Sequence, residues 1–593
     1  MHGRRMNNQG TAKDFTGSLK KVFTFNKKLI PYIIIALVLS SLASVLAIMG
    51  PDKLKEITNL ITEGLRSSID LEAVKKVGII LIIFYTLSFI FNYIQGFIMA
   101  VVTNRFSKSM RNEIALKINK LPLSYFDKAT VGDVLSRVTN DVDTISMTLN
   151  QSLGTLVSAI TMFFGSLIMM FYTNVILAFT AVVSTIFGFA LMIVIMKRSQ
   201  KYFNAVQTGL GNINGHIEET FSGHNIVKVY NAREEMNNKF DQINEKLFRD
   251  GLKSQFYSGL MHPIMGFIGN FGYVLVCIIG SILTMKGIIS FGVIVAFMIY
   301  IRLFTQPLTQ FAQGLTNLQA TAAASERVFE FLETEEMKKE KDFVKLKKEN
   351  VKGNLTFEDV SFGYNKDKLI IKNFSAKVKS GQKIAIVGPT GAGKTTIVNL
   401  LMKFYDIDSG DIKIDNISTK KITRKNVHDL FTMVLQDTWV FNGSIKENII
   451  YNQGNISDEK VQKVCKIVGL DHFIKTLPQG YDTLLSDTES LSAGQKQLLT
   501  IARSMINDTP FLIFDEATSN VDTRTEEIVS AAMDKLTKGK TSFIIAHRLS
   551  TIKNADLILV IKDGNIIEQG NHNELLKKNG FYAELYNSQF QTS

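Results

Sequence analysis

Cysteine is nearly absent: Cys277 and Cys465 are the only two among 593 residues, and they lie far apart in different kinds of sequence. That excludes a disulfide framework and a zinc site, and leaves both as packed thiols. Compact basic clusters with interleaved aromatics are also missing, although 67 Lys and Arg against 54 Asp and Glu give a formal net charge of +13. A nucleic-acid surface would gather such charge on one face. Here the pattern is that of a membrane protein with lysine-rich cytoplasmic loops, with no nucleic-acid partner. The first apolar run is not a cleavable signal peptide, because it starts late, lacks a small-residue cleavage site and is followed by further runs.

What is abundant is apolar sequence, and it is unevenly placed. Hydrophobic residues make up 46% of the chain and the mean hydropathy is +0.12, high for a wholly soluble protein of at least two domains. Six stretches in the first half reach the ~20 residues needed to cross a bilayer. They lie near Leu29 to Met49, Val77 to Val102, Leu153 to Tyr172, Val175 to Met196, Pro263 to Leu283 and Phe291 to Gln313. The fifth, interrupted by Gly266, Gly269 and Gly272, is the weakest pattern. Arg4, Arg5, Lys13, Lys20, Lys21, Lys27 and Lys28 precede the first run against Asp14, which puts the amino terminus in the cytoplasm. The charge-balanced loop from Gly50 to Lys76 then faces outward, and six crossings return the carboxyl half to the cytoplasm.

Two long cytoplasmic connections, about 103–152 and 197–259, carry periodic apolar residues that predict helices continuing beyond the bilayer. Within them, residues 121–145 contain a Pro and a Gly before an amphipathic pattern, and residues 216–234 break at Gly223. Arg302 lies in the sixth run, about 16 Å along a helix from Phe291. A charge near the bilayer centre costs roughly 2.5–3.5 kcal/mol on insertion scales, so it requires a partner, a wet cavity or a route to the interface. Substrate contact, snorkelling and structural pairing all meet that requirement.

After the sixth run the composition becomes highly charged over 333–350, which reads as a linker, and strand-like runs then alternate with helical ones. The segment GPTGAGKT at 388–395 follows the apolar run KIAIV and matches GxxxxGK[ST]. Glycines there let backbone N–H groups turn toward phosphate oxygens, and the next helix presents its positive end. Lys394 reaches the β- and γ-phosphates and the Thr395 hydroxyl suits magnesium. Gly388, Pro389, Thr390, Gly391, Ala392, Gly393 and Thr396 complete the candidate nucleotide contacts. A second element, FLIFDEATS at 511–519, delivers two carboxylates at the end of an apolar strand. Asp515 would hold the metal, directly or through water, and Glu516 would polarise the attacking water.

Together with LSAGQ at 491–495, VLQDTWVF, IIAHRLS and the two cytoplasmic hairpins, these motifs resemble the ATP-binding cassette transporters, exporter branch, over nearly the whole chain. The resemblance implies a type IV exporter: an α-helical membrane domain of six spans with long cytoplasmic extensions (29–332, after an amino-terminal segment 1–28), fused to an α/β P-loop nucleotide-binding domain (351–593). Residues 121–145 and 216–234 look like the family's coupling loops. By the same resemblance Tyr364 stacks on adenine, Gln436 contacts magnesium and water, His547 touches the γ-phosphate, and Asp522 belongs to the turn after the catalytic strand. Ser492, Gly494 and Gln495 belong to a signature loop that closes over ATP held by a facing cassette.

One phosphate loop and one signature imply half a transporter. Ala493, where the family has a glycine, and a shortened segment before it favour a different second chain as partner over a copy of this one. The implied activity is ATP- and Mg2+-dependent export of amphipathic or hydrophobic compounds through the cytoplasmic membrane, among its lipids. An ATP-gated channel or a regulatory subunit without pumping is the alternative, and a soluble ATPase acting on nucleic acid is disfavoured by the six spans. No peptidase-like sequence precedes the spans, which disfavours a leader-cleaving peptide exporter.

Overall fold

The protein was analysed as a computed structural model, which describes residues 14–65, 68–338, 340, 343–365, 367–435, 438–485, 491–515, 523–545 and 552–590. The chain divides into two compact units, Met1–Asn119 with Val131–Thr334, and Lys120–Thr130 with Glu335–Ser593.

Among its described residues the first unit is built of helices, with no strand. Among the described residues six helices are long and apolar enough to cross a membrane, within Lys27–Gly64, Leu71–Ile118, Val131–Thr173, Val175–Ser222, Gly266–Met285 and Phe291–Glu333. The glycine-interrupted fifth run therefore does form a helix, Met261–Met285. Helices of 48 residues extend roughly 72 Å against a hydrocarbon core of ~30 Å, so more than half their length lies outside it. Asn174 alone separates the third and fourth spans, and its side chain caps Val175–Ser222 by accepting from Leu177 N at 3.0 Å.

One connection and the amino-terminal segment differ from the sequence expectation, and a second connection agrees with it. The connection from Gly50, expected to face outward, is helical as far as Gly64, running through Pro51, with ion pairs Lys55–Asp52 and Lys53–Glu56 along its flank. Residues 15–25 form a helix docked on the last one, with Ser325 Oγ donating to Ser18 O at 3.0 Å and Phe25 edge-on to Phe106 and Phe329. The break at Gly223 falls where the sequence puts it, between Val175–Ser222 and the short helix His224–Val229.

In the second unit an antiparallel sheet and a mainly parallel one share a core. The strands are β1 (Leu355–Phe362), β2 (Ile371–Val378), β3 (Lys383–Val387), β4 (Ser409–Ile414), β5 (Ile417–Ser418) and β6 (Phe431–Val434). They continue with β7 (Gly443–Ser444), β8 (Leu484–Leu485), β9 (Phe511–Asp515), β10 (Thr541–Ile545), β11 (Leu557–Lys562) and β12 (Asn565–Gly570). The antiparallel sheet has order β2-β1-β4-β5 and the six-stranded sheet β12-β11-β3-β10-β9-β6. In the latter, β11, β3, β10, β9 and β6 are parallel and β12 closes one edge antiparallel.

Strands β9 and β10 are buried along their whole length, as expected when both faces of a parallel sheet are covered. Their alternation divides the core. Phe511, Ile513, Phe543 and Ile545 pack toward the antiparallel sheet, while Leu512, Phe514 and Ile544 pack toward the helix Ala493–Asn507 and its neighbours. At roughly 1.5–3 kcal/mol for each large side chain buried, these strands form a rigid platform for the loops at their ends.

Candidate nucleotide site and its surroundings

The phosphate loop joins β3 to the helix Lys394–Leu401. Gly391 and Gly393 hold φ of +82° and +102°, a region where a side chain would strain the backbone. At Gly388 steric contact is the constraint, since a Cβ there would lie 2.2 Å from Ile561 O. Lys394 is 7% exposed, and its Nζ donates to Gly388 O at 2.9 Å and Pro389 O at 3.1 Å, so the ammonium is held inside the curl of the loop. Thr395 faces outward, whereas Thr396 is buried and accepts a 3.3 Å hydrogen bond from Tyr364 Oη. Asn399 Nδ2 donates to the same phenol, and Tyr364 stays 43% exposed beside the first turn of the helix. The structure thus brings Tyr364 and the phosphate loop together.

Asp515 ends β9 and is 7% exposed. Its register partner in β10 is Ile545, and Phe514 pairs with Val434 of β6. The loops that follow β3, β6, β9 and β10 therefore leave from one carboxyl edge, the position where α/β sheets bind ligands. Gln436, Glu516, Asp522 and His547 lie outside the described residues. Among the described residues no group of three or more His, Cys, Asp or Glu could hold a metal ion. The oxygens of Thr395 and Asp515 are hard donors, which suit a magnesium ion that shares the phosphates of its nucleotide.

Ser492 caps the helix Ala493–Asn507 in a reciprocal pair: its Oγ accepts from Gln495 N at 3.2 Å and its N donates to Gln495 Oε1 at 2.9 Å. Gly494 is buried and Ala493 is exposed at the tip. The helix presents its positive end and an oriented serine at that tip.

Comparison with known proteins bears on this arrangement directly. The ABC transporter transmembrane region matches residues 33–308 and the ABC transporter domain residues 371–519. An uncharacterized ABC transporter ATP-binding protein of Bacillus subtilis is 37% identical over 582 residues, 98% of this chain and 95% of its own. The chain belongs to the ABC transporter family. A fatty acid ABC transporter ATP-binding/permease protein of Mycobacterium bovis is 39% identical over 518 residues, 87% of this chain and 82% of its own. An ATP-dependent lipid A-core flippase of Aliivibrio fischeri is 32% identical over 535 residues, 90% of this chain and 91% of its own. This ABC transporter is a multi-pass membrane protein of the exporter type whose cassette binds ATP and couples its hydrolysis to transport.

Two features of the transporter's second unit escaped the motif reading. A groove of about 630 Å³ opens beside Leu435 and is lined by His428, Trp439, Tyr451 and Arg503 among others. Arg503 orders it: its guanidinium lies 5.1 Å from the Tyr451 ring and 5.7 Å from that of Phe441, and its Nε donates to Asn448 O at 2.8 Å. Burial lowers the pKa of this arginine, and the cation–π contacts, up to about 2 kcal/mol when desolvated, offset that cost. Its two Nη groups also reach Trp439 O, leaving the indole 60% exposed at the groove.

The second feature is that the charged segment after Glu333 is anchored. Met337 N donates to Lys120 O, Val344 N to Lys421 O, and Leu346 pairs both ways with the Asn426 amide. Glu340 accepts from Arg424 N and Nη1, and pairs at 3.4 Å with Lys403, itself buried. These partners lie 60 to 220 positions away in sequence by direct count, beyond the reach of any local pattern.

Proposed function

We propose that this chain is one half of a dimeric ABC exporter that moves amphipathic or hydrophobic compounds across the cytoplasmic membrane by alternating access, with both termini in the cytoplasm. The observation that carries the proposal is the convergence of the phosphate loop, Asp515 and the strands before Gln436 and His547 on one carboxyl edge. At that edge Lys394 and the loop N–H groups hold the phosphates, and Tyr364 stacks on the adenine. Thr395, Asp515 and Gln436 hold magnesium, which neutralises charge on the transferring phosphoryl group when bound. Glu516 polarises the attacking water and His547 senses the γ-phosphate.

The signature Ser492, Gly494 and Gln495, with Asp522, serves the ATP of the facing cassette. Exposure supports a second half. Phe221, Ile226, Val229 and Tyr230 of the second coupling loop are 65–81% exposed, and the groove offers the exposed indole of Trp439. An apolar loop of one half seated in the groove of the other would cover both. Ala493 favours a different chain as that other half. Relatives named for fatty acid and lipid A-core transport support amphipathic cargo.

The test is Glu516→Gln, copurified with its second half and reconstituted in proteoliposomes. ATP binding is expected to persist while hydrolysis falls ~10² to 10⁴-fold and transport stops. Undiminished transport overturns the pump, and ATP-dependent conductance without hydrolysis points to a channel.

A further inference from the structure

Arg302 is the only Asp, Glu, Lys or Arg within the six apolar stretches 29–49, 77–102, 153–172, 175–196, 263–283 and 291–313. It is exposed on the helix Phe291–Glu333, and it makes no hydrogen bond or ion pair among the described residues. Gln306, Thr309, Gln313 and Thr316 are also exposed, and with Arg302 their spacings of four, three, four and three place them in one stripe. The stripe runs about 21 Å along the helix. Phe297, Ile301, Phe304 and Pro307 on the other side are buried in the bundle.

On the outer side of Arg302 the same stripe continues through Val295 and Met298, both apolar and half-buried. Polarity therefore changes sign along one face, and the change falls at a lone cation. Within the ~30 Å of hydrocarbon counted from Phe291 a face turned to lipid would be apolar, whereas this one already carries Arg302, Gln306 and Thr309, so it turns to water or to the second half. The planar fork of a guanidinium binds carboxylate or phosphate through paired hydrogen bonds.

We propose that Arg302 and its stripe bind the anionic head of an amphiphilic cargo, with the cargo's chain directed along Val295 and Met298. The head is a carboxylate or a phosphate, the two anions that share this geometry. The inference rests on the export reading and names the charge class of what is exported.

The experiment uses the full chain with its copurified second half in phosphatidylcholine nanodiscs. Dodecanoate, dodecyl phosphate and dodecyltrimethylammonium are bound at equilibrium, and the uptake of empty nanodiscs is subtracted. Both anions, or one of them, are expected to bind and to lose about tenfold or more in affinity in Arg302→Gln, while the ammonium probe is held as before. Arg302→Lys restores most of the anion binding, and Arg302→Glu inverts the preference toward the ammonium. A response to one anion alone names the head as carboxylate or phosphate.

An equal loss of all three probes, or no loss, overturns the proposal. So does loss of the second half from the Arg302→Gln preparation, which would mark the arginine as paired with an acid of that half. Wild-type ATP hydrolysis is measured beside the binding. Its absence would count against the export reading and leave the probe selectivity readable, whereas its presence with unchanged selectivity removes only the role given to Arg302.

Discussion

The phenol of Tyr405 donates a 2.6 Å hydrogen bond to Asp127 Oδ2, joining the segment after the phosphate-loop helix to the loop 120–130, the proposed first coupling loop. The Tyr405 ring also meets Tyr364 edge-on at 5.1 Å, so a single side chain touches both the proposed adenine platform and the loop 120–130. Burial pushes the Tyr405 pKa far above that of a free phenol, and the bond to Asp127 adds to the shift. With the folded value raised, the contact is fully present below the unfolded value of ~10 and is lost only above it.

Tyr405→Phe removes that bond and keeps the ring. Hydrogen bonds to charged groups contribute roughly 1.5–3 kcal/mol, and the exposure of Asp127 puts this one at the low end. ATP binding is expected to survive, with hydrolysis within about threefold of wild type and transport per ATP reduced at every pH from 6 to 9. Proteoliposome stoichiometry measures this, and an unchanged ratio removes Tyr405 from the coupling route.

Ser492 carries two roles that one substitution can separate. Ser492→Ala removes the helix cap, at a cost of about 1 kcal/mol, together with the hydroxyl proposed to meet the facing ATP. Ser492→Asp retains an N-cap and adds negative charge at the tip. Thermal unfolding of the aspartate variant is expected to match wild type while its ATP hydrolysis falls at least tenfold. Loss of both properties together would make the serine a cap alone.

The legible parts of this molecule are those written in local pattern. Apolar runs marked all six spans, even across Gly266, Gly269 and Gly272, because helix length and burial outweigh the cost of isolated glycines. The phosphate loop was legible because Gly391 and Gly393 sit at backbone angles that few other residues tolerate. The helix through Pro51 was not, since balanced charge near a proline reads as a loop until Lys55–Asp52 and Lys53–Glu56 are seen to pair along one flank. Nor was the groove, because Arg503 finds Phe441 and Tyr451 only after the chain folds back.

Glu340 gives the anchored segment a measurable contribution. Lys403 is pulled below the usual lysine range by burial, and Glu340 opposes that pull from 3.4 Å while also accepting from Arg424. Glu340→Gln leaves the buried Lys403 and the part-buried Arg424 without their shared counter-charge. A loss of about 1–3 kcal/mol is expected. For a domain of this size each kcal/mol lowers the melting temperature by roughly 2–4 °C. Calorimetry of the purified protein measures it, and an unchanged melting temperature would make the segment a passive tether.

The carboxyl end of the cassette carries its own pH response, centred on His572. Its Nδ1 lies 2.7 Å from Tyr582 Oη, and its ring packs on Tyr582 and Tyr586. Burial lowers the imidazole pKa, with Lys553 adding to the effect, and the Tyr582 phenol is pushed up to about 12 by the same burial. The phenol stays protonated over the working range, so only the histidine titrates there. Because its folded value lies below the unfolded 6.5, the unfolded chain takes up the proton first. The stability that neutral His572 contributes is complete above about pH 6.5 and declines as pH falls toward the folded value. The melting temperature of the cassette is therefore expected to fall between pH 7 and pH 5.5, and His572→Gln, which keeps the bulk without the titration, should make that fall shallower. Parallel slopes for the two proteins would assign the acid sensitivity to other groups.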